Sequence, residues 1–471
     1  MDSFVTPDPL PARFQRMREA QDAAPFPDWP ERKRRLLALR ALLTGHIEAI
    51  CQAINTDFGC RPAEEVKLLE IFPGLEGLAY TPRHTRRWMR PRRGWAGFWF
   101  LPARTELMPQ PVGVVGIIVP WNYPLYLAVG PLIDALAAGN RAMVKMSEYT
   151  PAFSALFEQL VAQHFPGGEV QVVNGDAQVA AQFSSLPFDH LLFTGSTAVG
   201  RHVMRAAAEN LTPVTLELGG KSPAIIGPGA RFEQAVERIV YGKSVNAGQT
   251  CIAPDYVLLP RGREQAFIAA AHAAFQRLYP DYATSGAYAS VVNARRHAHL
   301  VAIRDAAVAR GAEAIALADP VPGAHPRCMP PTLLLGADPD AEVMTEEIFG
   351  PLLPVVPYDD FGQAIRYVAS RPHPLALYLF DADTGRQREV LEANLAGGVT
   401  LNDTLYHIAQ HQLPFGGVGS SGMGAYHGEA GFRTFSKLKP VFRQARWNGT
   451  GLLNPPYGKR FQKMLKLLLR H

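Results

Sequence analysis

Val112-Gly-Val-Val-Gly-Ile-Ile-Val119 is an apolar, β-branched run that ends at Pro120. Such a run, bounded by a proline, reads as a strand buried on both faces. A helix is predicted over 131–138 and the next strand at Arg141-Ala-Met-Val-Lys145. The alternation continues with a helix at 151–164, strands at 170–173 and 190–193, a helix at 196–210 and an extended run at 214–218. Strands alternating with helices argue for a doubly wound, parallel α/β sheet. Downstream the pattern restarts, with strands at 256–259, 332–335, 352–356, 377–380 and 398–401 and helices at 265–278 and 295–310. The expectation is two α/β layers of similar size, joined near 217–220 and again near 400–415. Upstream, 10–56 reads as helical, Asp57-Phe-Gly-Cys-Arg-Pro62 breaks it, and a further helix covers 64–88. Residues 90–97 are rich in Arg, Gly and Trp, and 98–108 looks extended. That aromatic segment is a candidate subunit contact.

The chain has 471 residues, enough for two or three domains of the usual ~100–200 residues. Its 47% hydrophobic and 19% charged residues are ordinary for a globular protein, and the net charge of +5 is mild. Basic residues gather at 31–35, 83–93 and the last dozen positions. This is not the concentrated stripe of a nucleic-acid binder. Met1-Asp-Ser-Phe4 lacks the basic and apolar regions of a signal peptide, so a cytoplasmic protein without a disulfide framework is expected. Of the four cysteines, Cys51, Cys60 and Cys328 read as inert thiols. No window of about 20 apolar residues suggests a transmembrane helix. Residues 457–471 form a basic, amphipathic segment. It reads either as a surface helix packing on its own chain or a partner subunit, or as a contact with an anionic membrane surface.

The fourth cysteine differs. It closes Lys243-Ser-Val-Asn-Ala-Gly-Gln-Thr-Cys251, a small polar run where glycine and alanine leave room for a ligand. Thr215-Leu-Glu-Leu-Gly-Gly-Lys221 places a single carboxylate, Glu217, in an apolar run. Phe193-Thr-Gly-Ser-Thr-Ala-Val-Gly200 follows a strand and opens a helix. It suits a phosphate at the helix N-terminus through Gly195 and Ser196, or plain capping. Gly417-Val-Gly-Ser-Ser-Gly422 matches the dinucleotide fingerprint as letters but follows no strand, so it reads as a glycine-rich loop. Gly219-Gly-Lys-Ser222 lacks the first glycine of a P-loop. Lys145 and Glu148 could clasp a sugar diol or form a surface ion pair. Asn122, after a strand end, could aim its amide at an oxyanion or simply make a turn. Glu347 and Phe349 could hold a ribose and wedge a ring, or cap. The histidines at 297, 299, 407 and 411 form no metal pattern and read as surface or packing residues.

Six stretches, in order, carry a family resemblance: Pro120-Trp-Asn-Tyr-Pro124, Phe193-Thr-Gly-Ser-Thr197, Leu216-Glu-Leu-Gly-Gly-Lys221, Asn246-Ala-Gly-Gln-Thr-Cys251, Glu347-Ile-Phe-Gly-Pro351 and Pro414-Phe-Gly-Gly417. The chain resembles the aldehyde dehydrogenase superfamily over nearly its whole length. The Thr before the Cys and Gly422-Met-Gly-Ala-Tyr-His-Gly428 resemble its class 3 branch, and within it the bacterial coniferyl aldehyde dehydrogenases. The resemblance implies a cofactor domain (1–92 and 111–216), a catalytic domain (217–420), an oligomerisation ribbon (93–110 and 432–445) and a homodimer, with the basic C-terminal helix at 455–471. It implies Cys251 as nucleophile, Glu217 as general base, and Asn122 with the Cys251 N–H as oxyanion hole. Lys145 and Glu148 would contact the adenosine ribose, Gly195 and Ser196 the pyrophosphate, and Glu347 and Phe349 the nicotinamide end. No metal is implied.

The implied reaction oxidises an aldehyde to its acid through a cysteine adduct and a thioester. A free thiol has a pKa of about 8.5 and needs activation; an oxyanion donor is worth roughly 3–4 kcal/mol. Glu217 would activate water for thioester hydrolysis, best with a raised pKa. Its neighbours Leu216 and Leu218 point to the opposite strand face, so burial of Glu217 cannot be read from them. Glu148 favours NAD over NADP by repelling a 2′-phosphate, although the branch often accepts both. Tyr123 and Tyr241 resemble pocket-lining aromatics and suit an aryl or cinnamyl aldehyde, or nearly as well a medium-chain aliphatic one. The competing readings are a non-redox cysteine hydrolase or acyltransferase, and a non-catalytic membrane-associated protein.

Overall fold

The strands are β1 Arg92–Trp95, β2 Arg104–Pro111, β3 Val114–Ile118, β4 Arg141–Lys145, β5 Val170–Val173, β6 His190–Thr194, β7 Val214–Glu217, β8 Pro223–Ile226, β9 Tyr256–Pro260, β10 Glu313–Ala316, β11 Thr332–Leu335, β12 Leu352–Tyr358, β13 Ala376–Phe380, β14 Gly398–Leu401, β15 Gly422–Met423 and β16 Ser436–Arg443. They are those of a computed structural model that describes residues 9–321 and 323–469. The opening tetrapeptide read above, and Arg470 and His471 of the predicted C-terminal helix, lie outside these.

Two parallel sheets carry the chain. One has the order β15-β7-β6-β3-β4-β5, the other β10-β11-β12-β9-β8-β13-β14. Only β15 on β7 and β10 on β11 run antiparallel within them. A separate antiparallel ribbon has the order β1-β2-β16. In the first sheet the chain builds outward from β3 to β5, then returns on the other side of β3 through β6 and β7. This reversal opens a crevice at the carboxyl ends of β3 and β6, where α/β folds place ligands. The loop after β3 is Pro120–Pro124 and the loop after β6 is Gly195–Ser196.

The crevice has a rigid floor. β3 is buried at every position, and so is the whole helix Tyr126–Ala138. That helix is apolar but for Asp134, whose carboxyl accepts from His427 N at 2.9 Å. Gly139 ends it in the left-handed conformation (φ 95°). The buried Arg32 donates to the last carbonyls, Ala137 O at 3.0 Å and Ala138 O at 2.7 Å. Asn140 then ties this corner together, accepting from Gly113 N and donating to Phe435 O.

The chain leaves the first sheet at Glu217, the last residue of β7, and comes back to it at β15. There Gly422 pairs with Glu217 and Met423 with Leu216, and Leu218 N donates to Ser421 O at 3.0 Å. Gly417–Gly422 is the loop that delivers β15, in keeping with its rejection as a dinucleotide fingerprint.

Three expectations need correction. Residues 10–56 are three helices, Leu10–Ala23, Trp29–Gly45 and Ile47–Phe58. Pro25 and Pro27 have no N–H to continue the first, and Asp28 starts the second by accepting from Glu31 N. Residues 98–108 are not extended throughout: Phe98–Phe100 form one 3₁₀ turn and β2 starts at Arg104. The strand β8, which opens the second sheet beside β9, and the helices Phe232–Ser244, Phe361–Ala369 and Thr384–Ala393 were not anticipated. The helix over 64–88 is continuous but contains one π-turn, Lys67–Ile71.

Gly422 has φ +143°, and a Cβ there would collide with Leu216 O. Gly422→Ala should therefore destabilise the fold by about 1–3 kcal/mol. Gly449→Ala, with nothing within 4 Å of its Cβ, should be neutral. Thermal unfolding of the two variants beside the parent checks this; equal melting of all three would show that the seam tolerates a side chain.

Candidate active site

A cleft of about 1350 Å³ opens at the carboxyl ends of β3, β4, β6 and β7. Asn122, Lys145, Glu148, Gly195, Ser196 and Glu217 line it from the first sheet, and Cys251, Glu347 and Phe349 from the second. Tyr123 and Tyr241 are not among its lining residues. Tyr123 is buried behind the loop, its hydroxyl 2.6 Å from Thr250 Oγ1, and Tyr241 lies under the Arg238 guanidinium at 4.7 Å.

Cys251 sits where helix Phe232–Ser244 turns into β9. The turn is unusual. Asn246 (φ 50°), Ala247 (φ 51°) and Gly248 (φ 72°) are consecutively left-handed. For non-glycine residues this costs of order 1–3 kcal/mol each, unless surroundings enforce it. Here they do. Asn246 N donates to Glu65 Oε1 at 2.9 Å, and its side-chain amide donates to Asn122 O at 2.9 Å. Gln249 donates to Asn246 O and Ser290 O and accepts from Val292 N. A Cβ on Gly248 would meet Gly350 O at 2.5 Å, so this position has no space for a side chain. Asn122 Nδ2 donates to Gln249 O at 3.1 Å. A primary amide has two hydrogens, so a second N–H is left for the cleft that Asn122 lines.

Behind both Asn122 and the turn lies Arg61, fully buried. It donates to Asn122 O at 2.5 Å and packs over the rings of Tyr123 (4.7 Å) and Phe58 (4.9 Å). Glu65 and Glu70 face it at 3.5 and 3.3 Å. Glu70 also accepts from Leu125 N and Tyr126 N at the start of the buried core helix. The sequence reading saw in 57–62 only a helix break. A single Arg in a turn carries no periodic or spacing signal.

The titratable groups are shifted by burial above all. Neither oxygen of Glu217 has a hydrogen-bond partner among the described residues, and burial raises its pKa well above the carboxylate range. Glu347 is raised to about 8 by burial and by Asp255, against the pull of Gly220 N–H, Lys221 and Arg296. The Cys251 thiol is pushed up by burial, then by Glu347 and Glu217, while the N–H groups of Cys251 and Ile252 pull it down. Lys243 is lowered to about 8, chiefly by burial, with its ammonium 3.6 Å from Asp255. As pH rises, Glu217 becomes available as a base.

The other end of the cleft fits a dinucleotide. Ser196 caps helix Thr197–Ala208, accepting from Val199 N at 3.4 Å, so the helix N-terminus opens on the cleft. The buried Thr194 hydroxyl beside it has no partner among the described residues. Lys145 does not ion-pair with Glu148: its ammonium donates to Met146 O and Gly175 O, and Glu148 stands exposed. Phe349 (φ 49°) lies edge-on to Trp121, with centroids 5.4 Å apart.

Arg61→Met would leave Glu65 and Glu70 buried without their cation. We expect a loss of about 3–5 kcal/mol in stability and a fall in kcat/KM for the aldehyde. Glu70→Gln added to Arg61→Met should restore part of the stability, because it removes one unpaired charge. Chemical denaturation and steady-state rates of the single and double variants decide; an unchanged kcat/KM would show that the cation does not position Asn122.

The profile of the aldehyde dehydrogenase family matches residues 7–441. A protein of Pseudomonas aeruginosa called probable coniferyl aldehyde dehydrogenase is 51% identical over 462 residues, covering 98% of this chain and 96% of that one. The coniferyl aldehyde dehydrogenase of a Pseudomonas species is 45% identical over 433 residues, covering 91% and 90%. The substrate-bound structure of Staphylococcus aureus AldH superposes with a TM-score of 0.91 at 34% identity, covering 98% of this chain and all of that one. The chain belongs to the aldehyde dehydrogenase family, whose members oxidise aldehydes to acids with NAD(P).

Proposed function

We propose that Cys251 is the nucleophile, Asn122 and the Cys251 N–H the oxyanion hole, and Glu217 the base of the second half-reaction. The observation that carries this is their convergence, from two different sheets, on one cleft at the strands' carboxyl ends. Cys251 gives its thiol proton to water in the cleft, and the thiolate Sγ adds to the aldehyde carbon. The developing oxyanion meets the free N–H of Asn122, a donor whose position is set before substrate arrives. Nicotinamide dinucleotide, when bound, supplies the hydride acceptor that converts this adduct to a thioester. Lys145, Glu148, Gly195, Ser196, Glu347 and Phe349 would hold it. Glu217, unpartnered and shielded from solvent, then takes a proton from water as the water attacks the thioester. The acid leaves and the thiol is restored.

The favoured substrate is an aromatic aldehyde of the coniferyl kind. Two relatives bear that name; Tyr123 and Tyr241, expected as pocket-lining rings, lie outside the cleft's lining. NAD is favoured over NADP, because the exposed Glu148 carboxylate would repel a 2′-phosphate. The domain division expected from the resemblance is retained, with the three-stranded ribbon joining two copies in a homodimer. Four free cysteines fit a reducing compartment, the cytoplasm.

Cys251→Ala should abolish NADH formation while leaving dinucleotide binding intact, measured by absorbance at 340 nm and by titration calorimetry; residual turnover would remove Cys251 as nucleophile. Glu217→Gln should slow deacylation by about 10²–10⁴-fold and let acyl-enzyme accumulate. A carboxyl with a raised folded pKa is a base only above that pKa, so the parent's deacylation rate should rise with pH and the variant's should stay flat. The same proton makes Glu217 a stability cost that grows as pH rises above the ordinary carboxylate value. Glu217→Gln should therefore melt above the parent at pH 9 and level with it at pH 5. On a panel of cinnamaldehydes, benzaldehydes and C4–C12 alkanals with each dinucleotide, coniferyl aldehyde with NAD should give the highest kcat/KM. A preference for alkanals would overturn the aryl assignment.

A further inference from the structure

The charge of this chain is unevenly placed. Residues 86–105 and 436–471 hold 15 of the 47 Lys and Arg and no Asp or Glu; the rest of the chain carries 32 basic residues against all 42 acidic ones. The fold brings these two stretches together. In the ribbon, Trp95 and Arg443 both pair with Arg104, from opposite sides of β2, so β1, β2 and β16 share one end. The 96–103 turn closes that end, with Phe100 edge-on to Phe442 at 6.0 Å. From Arg443 the chain runs on through Arg446 and Trp447 to the helix Lys459–Leu468.

The same end is aromatic and uncovered. Trp95 is 90% exposed and Phe98 75%; along the segment that continues from β16, Trp447 is 82% and Tyr457 60% exposed. Three of the six tryptophans are exposed, and all three (95, 99 and 447) lie here. The C-terminal helix buries no residue fully. Lys459, Lys463 and Lys466 form one stripe of it, and Phe461, Met464, Leu465 and Leu468 another. The second stripe is only half covered, in part by Tyr457, whose ring lies 4.5 Å from Phe461. No single helix among the described residues is long and apolar enough to cross a membrane.

We propose that the end of the ribbon and the C-terminal segment dock this enzyme on the surface of an anionic lipid bilayer. Tryptophan and tyrosine, with an apolar body and a polar tip, prefer the headgroup level. Clustered Lys and Arg are drawn to anionic lipid, and an amphipathic helix with a basic polar face lies in the interface plane. A second copy is the poorer occupant. A two-fold contact of this surface with itself would set one basic patch against another, with Glu106 beside Arg443 and Glu429 beside Arg87 as its acidic neighbours.

The test is flotation of the full chain with vesicles of phosphatidylcholine containing 30% phosphatidylglycerol, beside pure phosphatidylcholine. The expected result is binding to the anionic vesicles only, reversed by high salt. Lys459→Glu, Lys463→Glu and Lys466→Glu together should lower the partition coefficient by roughly a hundredfold. A chain ending before Tyr457 should lose most binding. Both variants should keep the parent's aldehyde oxidation rate in solution, which shows that they fold. No binding to anionic vesicles would overturn the proposal, and so would equal binding to both vesicle types. Conversion from dimer to monomer on truncation, by light scattering, would overturn it in favour of a second copy.

Discussion

A buried cation holds this site together. Arg61 lies among Glu65, Glu70, the Asn122 carbonyl and two rings, with no solvent to share its charge. Burying a guanidinium and two carboxylates is expensive, and such a group persists where its members also satisfy other partners. Each does so here. Glu70 receives the first N–H groups of the core helix, Glu65 holds Asn246, and Arg61 fixes the peptide that carries the Asn122 amide. Asn122, the proposed oxyanion donor, and the turn before Cys251, the proposed nucleophile, are therefore referenced to one ion cluster. That cluster comes from the N-terminal helices, far from either in sequence.

The two halves of the reaction are held by different means. In the proposed mechanism, addition to the aldehyde depends on the turn at 246–248 and on Asn122, both braced by hydrogen bonds. In that mechanism hydrolysis depends on Glu217, whose carboxyl has no hydrogen-bond partner among the described residues. It is fixed only by its strand, at the seam where the chain leaves the first sheet and returns through β15. An unbraced carboxyl keeps its lone pairs for water, and burial keeps it weakly acidic. The nucleophile's side needs precision, and the base's side needs dryness.

Much of this was legible in the sequence for physical reasons. Continuous β-branched runs such as 112–119 announce a parallel sheet, and strand ends followed by Asn122, Lys145 and Gly195 mark its ligand-binding edge. What was not legible depends on non-local partners. Nothing around Arg61 announces that it is buried. Leu216 and Leu218, on the opposite face of β7, could not report on Glu217. The strand β15 is two residues long, without periodicity, and exists only because β7 needs an antiparallel neighbour. The helices around Pro25 and Pro27 were merged because basic and apolar residues interleave on both sides of the break.

The left-handed turn at 246–248 has a consequence for the life of the chain before it is an enzyme. Its brace comes from Glu65 and Asn122, so the turn has no reason to form until the N-terminal helices and the first sheet are docked. A nascent or partly unfolded chain therefore carries Cys251 as an ordinary thiol, without an oxyanion hole beside it. In the proposed mechanism, the oxyanion hole is withheld until assembly is finished. A misfolded copy keeps a thiol but lacks the donor that would turn it against an aldehyde.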